Sequence, residues 1–217
     1  TRPRPAWRAP PFWVTYSMAS GPTASGTLSA ESLSAPVTAP DRSGGDIAIA
    51  ILISASVCHL LNDMMQSMLA SIYPLIKDDF HLDFVQIGII TLAFQLTASL
   101  LQPFVGMWTD KHPMPFSLPV GMGFTLVGLV LLAFASGFTS VLVAAAMIGV
   151  GSSVFHPEAS RVARLASGGR HGLAQSLFQV GGNFGTAVGP LLAAFIVVPY
   201  GRQNGLFFIL AAVIGIA

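Results

Sequence analysis

From residue 47 onward apolar residues come in long runs, and polar residues interrupt them in two ways, as short breaks between runs and as single positions inside them. A bilayer core about 30 Å thick needs roughly 20 residues of helix to cross it. That length divides the chain into six expected helical segments at about 47–76, 84–108, 118–135, 140–163, 173–198 and 204–217. The sixth reaches Ala217 before it is long enough to cross, so the chain is expected to be part of a longer one. The expected fold is an all-α membrane bundle.

The polar positions inside the runs are not scattered. At 100° per residue, His59, Asn62, Asp63 and Gln66 share about one third of the circumference of the first segment. Asp63 lies near its midpoint, where a charge costs at least ~2.5 kcal/mol on insertion scales. Two readings are open: a structural hydrogen bond or permanently protonated acid, and a role in transport or proton coupling, which four polar side chains on one stripe suit better. The second segment repeats the pattern with Thr91, Gln95, Ser99 and Gln102, and the fifth with Gln175, Gln179 and Asn183. Each stripe alone fits interhelical hydrogen bonding worth about 1 kcal/mol per bond. Together they suggest a shared polar pathway.

The fifth segment also spaces Gly181, Gly185 and Gly189 four apart and follows them with Pro190. Small residues at that spacing admit a neighbouring backbone, and proline permits a bend. The fourth segment puts His156, Pro157 and Glu158 in one turn, with Arg161 three residues beyond the acid and able to pair with it. Neither His59 with Asp63 nor His156 with Glu158 has a third and fourth ligand at usable spacing, so no metal is expected, and no cofactor. Between the second and third segments, Asp110 follows Gly106 and precedes Lys111 at a helix end whose dipole disfavours an acid. It is expected to serve the positive end of another helix, a solvated loop acid being the alternative.

Composition agrees with the membrane reading: 53% of residues are hydrophobic and 9% charged, against roughly 25% charged in soluble domains. A formal net charge of +1 gives no reason to expect a nucleic-acid partner. One cysteine, Cys58, excludes an intrachain disulfide. Residues 1–46 hold seven of the fifteen prolines and are expected to be a disordered tail. They begin with Thr1, so the part before Met18 reads as an extension, and no basic start with an apolar core marks a signal peptide. Placing the N-terminus in the cytoplasm puts Arg2, Arg4, Arg8, Arg42, Lys111, Arg161, Arg164 and Arg170 inside and Lys77 and Arg202 outside. That bias predicts the orientation.

Six helical segments, G-x-x-x-D-K at Gly106, Asp110 and Lys111, and G-x-x-x-G-P at Gly185, Gly189 and Pro190 resemble the amino-terminal half of a major facilitator superfamily transporter. Within it, "CHLLNDMMQS", "TDKHPMP", "GSSVFHPEASRVAR" and "ASGGRHGLAQSLFQVGGNFG" are similar to the fosmidomycin-resistance group, over about 54–217. The sequence departs from the superfamily pattern in having no Arg or Lys over 113–119, and Ala193 and Ala194 where paired glycines often stand.

The resemblance implies twelve helices in two six-helix bundles, alternating access about a central cavity, and proton-driven export from the inner membrane. Its implied partners are protons, a small anionic molecule of the phosphonate class, the lipid bilayer and a carboxy-terminal six-helix half. On this reading Asp63 is the leading proton-coupling residue, with Glu158, His59 and His156 as further candidates. Asn62, Gln66, Gln95, Gln102, Gln179 and Asn183 are expected to line the route. Arg161 is expected either to orient an anion at the cytoplasmic mouth or to neutralise Glu158. A transporter of a natural anionic metabolite needs the same cavity and stays open. An intramembrane enzyme is the remote alternative, since neither H-E-x-x-H nor G-x-S-x-G occurs.

Overall fold

The computed structural model describes residues 46–112 and 114–216, so the tail expected over 1–46 falls almost wholly outside the described residues. The described residues contain helices and turns and no strand. Four helical stretches are long and apolar enough to cross a membrane: Ile49–Ser71, Phe84–Lys111, Phe138–Leu165 and His171–Tyr200. Ser117–Ala133 and Arg202–Ile216 are apolar but shorter.

The first expected segment is divided. Helix α1 spans Ile49–Ser71 and α2 spans Tyr73–Asp79, separated at Ile72. Pro74 explains the break, because its nitrogen has no hydrogen to give the carbonyl four residues back and its ring crowds that turn. Helix α3, Phe84–Lys111, starts at Asp83, whose carboxylate accepts from the Gln86 N–H at 2.7 Å while the Gln86 side chain accepts from the Asp83 N–H at 2.9 Å. That reciprocal pair satisfies two donors at an otherwise open helix end. Helix α4 is Ser117–Ala133 and α5 is Phe138–Leu165.

The fifth expected segment begins as α6, His171–Leu192, loosens into a π-helical turn at Ala193–Val197 and ends as α7, Val198–Tyr200. The widened turn starts three residues after Pro190, which withholds one rung from the hydrogen-bond ladder. A 3₁₀ turn at Arg202–Leu206 then leads into α8, Phe207–Ile216.

Packing follows the small residues. α1 lies along α6, and α5 is flanked by both α3 and α4. A Cβ on Gly181 would collide with the carbonyl oxygen of Ser56, on Gly185 with that of Leu60, and on Gly189 with the Ser67 hydroxyl. The glycine stripe is therefore the surface on which α1 approaches backbone to backbone. One end of the bundle is tied by the Ala48 N–H to the Ala166 carbonyl at 3.0 Å. At the other end Arg202 donates to the Ala135 carbonyl, sits 3.5 Å from Asp79 and lies 4.5 Å from the centre of the Phe80 ring. Helix α3 leaves Leu92, Leu96, Leu100 and Phe104 exposed, an apolar face suited to lipid or to another bundle.

Candidate functional site

The stripe on α1 meets α5 at a compact polar cluster. The Asp63 carboxylate stands between two imidazoles, with His59 Nε2 3.2 Å from Oδ2 and His156 Nε2 3.1 Å from Oδ1. His59 comes from one turn earlier on α1, and His156 comes across from α5. Both rings are held from behind. His59 Nδ1 lies 2.9 Å from the Phe178 carbonyl oxygen on α6, and His156 Nδ1 lies 2.9 Å from the Ser152 carbonyl oxygen. A carbonyl oxygen only accepts, so each Nδ1 carries the hydrogen and each Nε2 is turned toward Asp63. His59 also stacks on Phe178 with ring centres 4.0 Å apart and presses against Gly182, where any Cβ would strike the imidazole.

Asn62, fully buried, donates its amide N–H to Asp63 Oδ1 at 3.3 Å, and its own carbonyl oxygen is buried with no partner. Gln66 lies one turn further on, and its amide nitrogen is likewise buried and unpaired. Asp63 and Gln66 line a cavity of about 500 Å³ with Ser67, Phe94, Thr186 and Pro190. Unpaired polar atoms beside a cavity are what a site for a polar solute would show, because a buried donor or acceptor without a partner costs about 1–3 kcal/mol.

Glu158 is part of a second cluster. Its carboxylate, 2% exposed, accepts from the Ser117 hydroxyl at 2.9 Å and pairs with Arg161 at 3.3 Å. Arg161 also reaches the Thr109 carbonyl at 3.5 Å. Gly106, Asp110, Pro157, Glu158 and Arg161 line a smaller pocket of about 210 Å³ with Thr109, Ser160 and Arg164. The loop signature is thus beside Glu158 and Arg161, although Asp110 is exposed and Lys111 stands at the exposed helix end.

Other expected residues are not gathered. Gln95, Gln179 and Asn183 are exposed on α3 and α6, and Gln102 is half-buried, none of them against Asp63. Gln175 binds Ser160 across the α5–α6 contact through both the Ser160 hydroxyl and its carbonyl, a packing role. The expectation that no third ligand accompanies His59 and Asp63 holds only along the chain, since folding brings in His156 from 93 residues away. Ser117 and Ser152 were not anticipated. Ser152 stood at the i, i+4 spacing from His156 that a helical reading would pair; Ser117 has no such signal, because its partner is 41 residues distant.

The model of the Major Facilitator Superfamily matches residues 55–217. The chain belongs to that superfamily. It is 67% identical over 166 residues to the fosmidomycin resistance protein of Escherichia coli (strain K12), an alignment covering 76% of this chain and 41% of that protein. Over the same shares it is 44% identical to the uncharacterized MFS-type transporter YfnC of Bacillus subtilis (strain 168). Among solved structures, a bacterial homolog of the human lysosomal transporter Spinster, in an inward-facing and occupied conformation, matches with a TM-score of 0.67 and 17% identity, covering 77% of this chain and 42% of that one. Fold and sequence agree on a multi-pass membrane protein with the amino-terminal bundle of this superfamily, and the 67% identity supports the fosmidomycin-resistance group within it. The chain spans about two fifths of the length of these relatives.

Proposed function

We propose that the full-length protein is an inner-membrane secondary transporter that exports small anionic phosphonates of the fosmidomycin kind in exchange for protons, by alternating access, with its N-terminus in the cytoplasm. The observation that carries the reading is Asp63, held between two imidazoles at 3.1 and 3.2 Å beside a cavity of about 500 Å³. A membrane acid flanked by bases and open to water is suited to exchange a proton, because desolvation favours its neutral form and hydration its charged one.

Among the described residues no other titratable group faces this carboxylate. α6 presents Phe178 and Gly182, α3 presents Phe94, and on α5 Glu158 and Arg161 turn instead to Ser117 and Thr109. Gln66, which lines the cavity beside Asp63 and has an unpaired amide nitrogen, is suited to touch the solute. Arg161 pairs with Glu158 through Nη2 and reaches the Thr109 carbonyl through Nη1, with its Nε unpaired, and on this reading it neutralises Glu158.

The experiment is efflux of fosmidomycin from vesicles holding the full-length protein, driven by a pH gradient. Asp63→Asn is expected to abolish gradient-driven efflux while leaving passive exchange of the drug. Unchanged coupling in that variant would remove Asp63 from the role, and efflux indifferent to the gradient in the unmodified protein would remove proton exchange altogether.

A further inference from the structure

The cluster has a property that transport does not require. Its three electron-rich atoms, two imidazole nitrogens and a carboxylate oxygen, all lie within 4.8 Å of one another. With both Nδ1 hydrogens committed to the Phe178 and Ser152 carbonyls, a protonated imidazole donates its Nε2–H to Asp63, and a neutral one points its Nε2 lone pair there. Lone pairs facing an oxygen anion at 3.1 and 3.2 Å repel unless something positive lies between them.

The spacing suits an ion as well as a proton. Metal–ligand distances of about 2.0–2.1 Å on a tetrahedron place neighbouring ligand atoms about 3.3 Å apart, close to each imidazole–carboxylate separation here; the two run to different oxygens of Asp63, and a set of both nitrogens with one oxygen, within 4.8 Å, draws in around the ion. The backing is that of a ligand set too. Imidazoles that bind metal almost always donate the other ring N–H to a carbonyl or carboxylate, which fixes the tautomer and the ring, and both rings here do so. Two imidazoles with one carboxylate favour zinc and its late first-row neighbours over magnesium or calcium. The cavity that Asp63 lines gives access and room for water as a fourth ligand.

We propose that His59, Asp63 and His156 form a binding site for a divalent late first-row transition ion such as Zn²⁺. An ion there ties α1 to α5 and occupies the carboxylate assigned to proton exchange. The inference rests on ligand geometry, and it stands whether or not transport is proton-coupled.

The test is titration of Zn²⁺ into the full-length protein in lipid nanodiscs by calorimetry, with Co²⁺ absorption as a second probe. One saturable site per chain is expected. Affinity should fall at least ~10-fold in His156→Gln and in Asp63→Asn, as loss of a direct ligand should exceed the 10–100-fold cost of losing an outer-shell partner. His81→Asn, in a turn outside the cluster, should leave it unchanged. His156 is partly exposed, so its replacement is the variant least prone to disturb packing. X-ray absorption on the Zn²⁺-loaded unmodified protein gives a measurement free of mutation, and should show imidazole scattering with no sulfur. No saturable site, equal affinity in both cluster variants, or a spectrum without imidazole overturns the proposal. Intact Zn²⁺ binding with efflux that ignores the pH gradient would sink the coupling reading and leave this one standing.

Discussion

Glu158 illustrates how one buried acid constrains its neighbours. One carboxylate oxygen serves both Ser117 and Arg161, and the other is buried without a partner. Removing Arg161 would leave that charge unpaired inside the bundle, which typically costs about 3–5 kcal/mol; removing both charges together is often nearly neutral. Arg161→Gln should therefore lower the thermal midpoint of the purified protein sharply, and the Arg161→Gln/Glu158→Gln double variant should recover most of it. A double variant as unstable as the single one would show that Arg161 acts elsewhere, the solute included. At this scale the sequence was legible only where partners share a helix. His59 with Asp63 and Glu158 with Arg161 sit four and three residues apart and could be paired on paper. His156 with Asp63 and Ser117 with Glu158 needed the fold.

Between elements, the seam of α1 and α6 is set by glycines that nothing larger can replace. Gly185→Ala would drive its methyl into the Leu60 carbonyl, a backbone atom that cannot swing aside. Overpacking of this kind typically costs about 1–3 kcal/mol. Gly123 on α4, by contrast, has nothing within 4 Å of an added Cβ, so Gly123→Ala should be neutral or slightly stabilising through helix propensity. Yield and thermal midpoint of the two variants, measured side by side, check this, and equal losses would refute the seam argument.

The glycine spacing announced a close-packed face, and the hydropathy runs announced where helices lie. Periodicity did not say which way a polar stripe points. It fixes directions relative to other residues of the same helix, so Gln179 and Asn183 aligned as expected yet are exposed in this bundle. The break at Ile72 was missed for a related reason, because hydropathy alone weighs Pro74 as one more residue in an apolar run.

For the molecule as a whole, Arg202 is the fastening of one end. It joins the α2 region through Asp79 and Phe80, the α4–α5 turn through the Ala135 carbonyl, and its own 3₁₀ turn. Arg202→Ala should leave the fold intact and speed amide hydrogen exchange over 77–82 and 134–137, with little change over 141–163. Uniform exchange across all three regions would deny the residue this role.

The anchoring of the two imidazoles has an implication for how the site tolerates change. Both are held by main-chain oxygens, of residues 178 and 152, and every residue type supplies such an oxygen. Tautomer and aim are thereby insulated from side-chain drift. Phe178→Leu forfeits the stacked ring but keeps the carbonyl, so it should weaken packing around His59 without turning the imidazole away from Asp63, and nitrogen-15 NMR of the labelled histidine should report the same Nδ1–H form in both proteins. A lineage could vary the ring stacked on His59, though not Gly182, while the polarity of the centre stays put.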